Sequence, residues 1–454
     1  MIRRIPRILL GAPGSGGGKT TAACALLWAM KEKGVKLSAF KTGPDYIDPM
    51  FHRKALGAPS CNLDLFLCGE ENVRRLFAEV SNGTDLAVIE GVMGLYDGRS
   101  PLDDSCSANH LSRALEAPAI LVLDVKGMSF SAAAILRGFC TFRENRIRGV
   151  IFNRCSPGMY PFYSEMAKGE GLTPCGYLPV LPEAALESRH LGLITADEVT
   201  GLREKLSLLG KTAAETLDLD AILELADSAP EMDWPEPFPE QNPAVRPVIA
   251  VAKDKAFCFY YEENLCLLQK LGAQIVEFSP LSDEHIPPEA DGLWLGGGYP
   301  EEYAKALSRN KSMLESVKGA VLGGLPTIAE CGGFLYLLEE LAGRDGVFYP
   351  MAGALEGRAE MTGRLQHFGY SLLEARKDNL LCKAGESIPI HEFHYSKSTN
   401  DGEDFTAHKR GKERLAAHGT DSLYAGYPHL HFYGNPEFAR NFIKRCAKWR
   451  EERQ

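Results

Sequence analysis

The sequence predicts an α/β protein of two domains, and three observations carry that prediction. Through the first two hundred residues, short apolar runs alternate with longer stretches of helical length. The runs are Ile8–Gly11, Leu37–Lys41, Leu86–Glu90, Ala119–Asp124 and Gly149–Asn153, and Thr20–Lys33 and Ser129–Arg143 are typical of the stretches between them. Such alternation implies βαβ units around a mainly parallel sheet. The pattern then stops at APEMDWPEPFPEQNPAVRP, Ala229 to Pro247, whose six prolines no packed helix or central strand tolerates. It restarts at Val248–Val251 and continues through Gly292–Leu295 and Thr327–Ala329. The expected organisation is residues 1–228, a semi-rigid linker over 229–247, and residues 248–454. A length of 454 residues supports it, because a single core rarely grows that large.

Composition narrows the function. The net charge of -10 argues against a general nucleic-acid binder, which needs excess Lys and Arg against phosphates. No stretch approaches the ~20 apolar residues of a bilayer span, and the short basic-then-apolar N-terminus runs straight into a glycine loop. The twelve cysteines contain no C-x-x-C pair, so neither a disulfide framework nor a structural zinc site is expected. A reducing cytoplasm is the expected setting. The partners implied are small molecules, with no nucleic acid and no membrane, and a homo-oligomer is compatible with the sequence.

Where the chemistry starts is the end of the first apolar run. Ile8-Leu9-Leu10 leads into Gly11-Ala12-Pro13-Gly14-Ser15-Gly16-Gly17-Gly18-Lys19-Thr20-Thr21 and then a helix-forming run. Glycines let backbone N–H groups converge on phosphate oxygens, and the helix start adds partial positive charge. Residues 14–21 are therefore expected to hold ATP, with Lys19 on the outer phosphates and the Thr20 hydroxyl on Mg²⁺. Pro13 stands where the usual phosphate-loop motif has its first glycine, so the loop is a variant of the dethiobiotin-synthetase type.

Parallel sheets place ligands at the carboxyl ends of their strands. There the chain presents Lys41-Thr42-Gly43-Pro44-Asp45-Tyr46-Ile47-Asp48-Pro49, and later Glu90-Gly91-Val92-Met93-Gly94-Leu95-Tyr96-Asp97-Gly98. Glu90 ends a wholly apolar strand, where a carboxylate can hold Mg²⁺ directly or through water. Asp45 is expected beside it as a metal ligand. Asp48 and Asp97 read either as site carboxylates or as solvated loop acids. Asn153, ending the fifth run, is placed to read an adenine edge, and Asp124 is as readily a turn former.

The second domain carries a different signal. Thr327-Ile328-Ala329-Glu330-Cys331-Gly332-Gly333-Phe334 reads as a buried strand, a thiol, two glycines and a helix. That is a nucleophile elbow, a tight turn that presents the thiol at a helix start beside free amide groups. Gly296-Gly297-Gly298-Tyr299-Pro300 is a second glycine-rich strand end, and Gly297, Gly298 and Gly332 are the expected oxyanion donors. The base comes from Tyr427-Pro428-His429-Leu430-His431, with either histidine able to pair with Cys331 on position alone. His391-Glu392-Phe393-His394 lacks the i, i+4 spacing of a helical zinc motif and reads as a substrate or structural contact.

With these motifs placed, the chain resembles the cobyrinate a,c-diamide synthase family almost end to end. The resemblance rests on the loop around Lys19, KTGPDYIDP (Lys41–Pro49), EGVMGLYDG (Glu90–Gly98) and ESRHLGL (Glu187–Leu193). It continues through DKAFCFYY (Asp254–Tyr261), GGGYPE (Gly296–Glu301), AECGGFLYL (Ala329–Leu337), HEFHYS (His391–Ser396) and YPHLHF (Tyr427–Phe432). It implies a P-loop, dethiobiotin-synthetase-like domain followed by a class I glutamine amidotransferase-like domain. It also implies that ATP and Mg²⁺ activate a tetrapyrrole acetate while Cys331, with His429 as base, frees ammonia from glutamine. Asp45, Tyr46 and Asp97 would face the cobyrinate site. Many class I amidotransferases carry a Glu two residues after the histidine, where this chain has His431. Glu437 is a candidate orienter, and the third member stays open. Diamide synthases acting on nickel-sirohydrochlorin share these motifs and remain an alternative. A partition-ATPase-like nucleotide switch would explain the first domain but has no use for the thiol elbow.

Overall fold

The computed structural model describes residues 1–185, 188–189, 192–193, 201–241, 243 and 245–453. Within the ESRHLGL block, Glu187, His190 and Leu191 lie outside the described residues. The chain forms two compact units, one of Met1–Leu65 with Gly69–Pro237 and one of Phe66–Cys68 with Phe238–Gln454.

The first unit is built on a seven-stranded parallel sheet. Its strands are β1 (Arg7–Gly11), β2 (Leu37–Thr42), β3 (Ser60–Leu63), β4 (Leu86–Glu90), β5 (Ala119–Asp124), β6 (Ile147–Asn153) and β7 (Thr173–Leu178). They lie in the order β3-β2-β4-β1-β5-β6-β7, all pairs parallel. Nearly every residue of β1, β2, β4 and β5 is buried, as expected of strands covered on both faces. With β1 near the middle, loops from both halves of the sheet meet at its carboxyl edge. Helix α1 (Lys19–Glu32) follows β1 and packs so closely on the helix Leu202–Thr216 that a Cβ at Gly210 would meet Trp28 Cδ1 at 2.1 Å. Arg7 is fully buried, and its guanidinium donates to the carbonyls of Leu115, Ile5 and Pro230.

The expected linker does not begin as one. Met232–Asp233 pairs antiparallel with Ile2–Arg3, and the buried Trp234 donates its indole N–H to the Arg3 carbonyl at 2.9 Å. Two large apolar side chains between the prolines are enough to hold this stretch on the first unit, which ends at Pro237.

In the second unit, β8 (Val248–Ala252), β9 (Gln274–Phe278), β10 (Gly292–Leu295), β11 (Thr327–Glu330), β12 (His418–Gly419) and β13 (Leu423–Gly426) form one sheet. Its order is β9-β8-β10-β11-β13-β12, parallel except at the β12 edge. A second, largely antiparallel sheet is built around Arg358–Ala375 and Ser387–Ser398 and takes in the short strand His429–Leu430.

Candidate functional site

The turn from β1 into α1 needs glycine: Gly16 and Gly18 sit at φ 75° and 89°, the left-handed region that other residues avoid. A Cβ at Gly18 would also meet Asn153 Nδ2 at 2.1 Å. That amide donates to the Gly17 carbonyl at 3.0 Å, so Asn153 buttresses the loop. Lys19 folds back over the loop and donates to the carbonyls of Gly14, at 3.0 Å, and Met93. Burial, with the nearby Lys41 charge, pushes the Lys19 ammonium down to about 8. A cavity of about 290 Å³ opens over Gly14–Gly17, walled by Leu123, Asp124, Ile135 and Arg154, with Asp124 ion-paired to Arg154.

Behind the loop lies a buried polar network. Thr20 Oγ1 donates to Glu90 at 2.6 Å and lies 3.4 Å from Asp48. The Lys41 ammonium sits between the same carboxylates, 2.5 Å from Asp48 and 2.7 Å from Glu90. Burial disfavours every one of these charges. The two carboxylates nevertheless hold Lys41 charged, above its ordinary value. Against the same burial, Lys41 and His52 keep the Glu90 carboxyl below the usual range. Burial and Asp45 instead push Asp48 up. Glu90 Oε2 and His52 Nε2 lie 3.6 Å apart, and neither has a hydrogen-bond partner among the described residues.

Asp45, expected as a metal ligand, is placed differently. Its Oδ1 accepts from the backbone N–H groups of Ile47 and Asp48 at 2.9 and 3.1 Å. The loop curls into the helix Ile47–Met50, whose first amides engage Asp45 and whose turn brings Asp48 inward. Asp48, not Asp45, joins Glu90 and Thr20. Tyr46 precedes that helix, and Asp97 closes its own turn by accepting from the Gly94 N–H at 2.7 Å.

In the second unit the elbow is present. Cys331 has φ 46° and ψ -102° between β11 and the helix Gly332–Leu337, a strained turn for a residue with a side chain. Its own N–H donates to the Gly426 carbonyl at 2.8 Å. The glycines mark how tightly the parts fit. A Cβ at Gly332 would meet the Gly298 nitrogen at 3.1 Å, and one at Gly297 would meet His429 Cε1 at 2.7 Å. The three expected oxyanion residues, the thiol and His429 are therefore one cluster. Burial works against a charged His429, yet the adjacent Cys331 and Glu330 raise it to about 10. His429 Nδ1 lies 3.5 Å from Glu330 Oε2.

His431 is fully buried elsewhere, with Nε2 3.0 Å from Glu263 Oε1 and the ring 3.5 Å from Cys68 Sγ. Glu437 sits at the start of the C-terminal helix, ion-paired with Arg440. Of the histidines left open by position, only His429 meets the thiol.

The sequence from 8 to 185 matches the family model described as the CobQ/CobB/MinD/ParA nucleotide binding domain, and that from 248 to 437 the CobB/CobQ-like glutamine amidotransferase domain. A protein of Thermoplasma volcanium named cobyrinate a,c-diamide synthase is 38% identical, over 99% of this chain and 99% of its own. Proteins of the same name from Priestia megaterium and Listeria innocua are 37% and 39% identical, over 99% and 95% of this chain and 98% and 97% of their own. This chain belongs to the cobyrinate a,c-diamide synthase family. It is an α/β protein with an N-terminal nucleotide-binding unit and a C-terminal amidotransferase unit, and a glutamine-dependent ligase.

Sequence reasoning left three residues without a role. Lys41 and His52 lie in or beside the quoted KTGPDYIDP block, but their contacts depend on how the loop folds. Glu330 ends a buried strand, the same signal that singled out Glu90, and that signal could have found it.

Proposed function

We propose that this chain amidates the a and c acetate carboxylates of cobyrinate, using ATP in the first unit and glutamine in the second. The observation that carries the proposal is the Cys331–His429 elbow in a chain whose other unit holds a phosphate loop. A nucleotide switch has no use for that thiol.

In the glutaminase half, Cys331 gives its proton to His429 to form a thiolate–imidazolium pair; the thiolate attacks the glutamine amide carbon, and the imidazolium passes that proton to the departing nitrogen. Ammonia leaves, and a thioester remains. The Gly298 and Gly332 backbone N–H groups support the oxyanion. Water, activated by His429, then cleaves the thioester to glutamate. In the synthetase half, Lys19 and the amides of residues 14–18 hold the phosphates. The γ-phosphoryl group passes to a substrate carboxylate oxygen, and ammonia displaces phosphate from the acyl phosphate. Two rounds give the diamide.

Mg²⁺ fits the first unit. Thr20, Glu90 and Asp48 offer oxygen ligands, and Glu90 Oε2 is buried without a hydrogen-bond partner among the described residues. No cluster of three His, Cys, Asp or Glu side chains suited to a metal occurs among the described residues. The ion would thus rely on phosphate oxygens to complete its shell, as Mg²⁺ sites commonly do. When bound, it would neutralise charge on the phosphates during transfer.

The test incubates the enzyme with cobyrinate, ATP, Mg²⁺ and glutamine, and weighs the product. Two amide nitrogens per macrocycle are expected. Cys331→Ala should lose glutamine-driven amidation and keep it with added ammonium. Amidation of nickel-sirohydrochlorin alone would overturn the substrate, and unchanged glutamine use by Cys331→Ala would overturn the mechanism.

A further inference from the structure

We infer that Glu330, the residue immediately before the thiol, completes the glutaminase site as the positioning residue of His429; the inference rests on the reading of Cys331 and His429 above. One carboxylate reaches the base in two ways. Its Oε1 accepts from the backbone N–H of Leu430 at 3.1 Å, and its Oε2 lies 3.5 Å from His429 Nδ1. It therefore holds the short strand carrying the base by a hydrogen bond and faces the ring across the 3.5 Å charge contact. Glu330 pairs in register with Gly426 across β11 and β13, so the chain needs only Tyr427 and Pro428 to bring His429 back over it.

The alternatives are committed elsewhere. His431, which stands two residues after the base, faces Glu263 and Cys68. Glu437 is half exposed and pairs with Arg440. Glu392 is ion-paired with Arg414. Glu330 is 3% exposed, and no Lys or Arg ion pair to it occurs among the described residues. A buried carboxylate survives only if paired, and the ring nitrogen of the base faces it at 3.5 Å.

The chemistry follows from the geometry. A carboxylate at Nδ1 keeps the proton there, leaves Nε2 to face sulfur, and stabilises the imidazolium formed when the thiol ionises. Among the described residues, the titratable groups around the pair include the phenols of Tyr260, Tyr424 and Tyr427, the ion-paired Glu392, and two further histidines. Burial holds those two, His391 and His394, down to about 3, which leaves them neutral.

The decisive variant is Glu330→Gln, which keeps size and the Oε1 acceptor for Leu430 but removes the charge. Glutaminase kcat should fall about 10²–10⁴-fold with little change in KM for glutamine. The alkaline limb of kcat/KM should move to lower pH, because the imidazolium loses its counter-charge. Glu330→Asp should recover part of the rate. Independently of any acceptor, the pH at which iodoacetamide alkylates Cys331, read by peptide mass, should move upward in Glu330→Gln. A melting scan checks that the variant is folded. A kcat within a few-fold of the parent, or an unmoved alkylation profile, overturns the inference. A parent enzyme without glutaminase activity would instead overturn the function, while the alkylation profile would still report on Glu330.

Discussion

Lys41 is the cation on which the buried carboxylates of the first unit depend. Replacing it with alanine leaves Asp48 and Glu90 with only His52 beside them, and breaking a buried pair this way costs about 3–5 kcal/mol. Urea unfolding of Lys41→Ala at neutral pH should show that loss; a midpoint like the parent's would mean that the network is worth little. Glu90→Gln removes a proposed metal ligand and should weaken Mg²⁺ activation of amidation about 100-fold, with glutaminase turnover retained. His431 supports a pH prediction. Burial opposes its charge, but Cys68 and Glu263 raise it to about 10 from an ordinary 6.5. The native chain therefore holds that proton over a range in which the unfolded chain has released it. The stabilisation is whole below about pH 6.5 and is lost as pH rises toward 10, at up to about 1.4 kcal/mol per pH unit. Denaturant midpoints at several pH values should show that decline, and His431→Gln should flatten it in part, His429 contributing a similar share. At this scale, Lys19, Glu90 and Cys331 were legible because each ends or follows an apolar strand next to glycine. Asp48 was not, because the loop's curl into Ile47–Met50 decides which acid turns inward, and no spacing rule contains that curl.

Glycine geometry dominates at the scale of elements. Gly18 carries φ 89° at the start of α1 with Asn153 against it. Holding alanine in the left-handed region costs about 1–2 kcal/mol, roughly tenfold in affinity. Calorimetry with ATP should show at least that loss for Gly18→Ala, and unaltered binding would mean that the loop adapts freely. Strands β1, β2, β4, β5, β6, β8, β10 and β11 were legible within about two residues, because strands buried on both faces are continuous apolar runs. β3 was not: Ser60-Cys61-Asn62-Leu63 is half polar and borders the sheet. The antiparallel sheet escaped for a related reason. Arg358–Ala375 is mostly exposed or half-buried, in no regular alternation, and is broken by register shifts, so neither a clean alternation nor an apolar run marks it.

At the scale of the whole molecule, two chemistries share one chain through a single intermediate, ammonia. Only its unprotonated form has the lone pair needed to attack an acyl phosphate. An enzyme that releases ammonia from bound glutamine produces it already unprotonated. An enzyme fed with ammonium must wait for the bulk to deprotonate. Cys331→Ala supplied with ammonium salts should therefore gain amidation rate steadily as pH rises toward the ammonium pKa, with ATP consumed per amide unchanged. The parent enzyme on glutamine should lack that dependence, because the ammonia forms at the Cys331 site already unprotonated. Both profiles can be measured with the same macrocycle by mass spectrometry and phosphate release. Parallel profiles for the two nitrogen sources would mean that glutamine-derived ammonia equilibrates with solvent before it reacts, and would sink the claim of direct use.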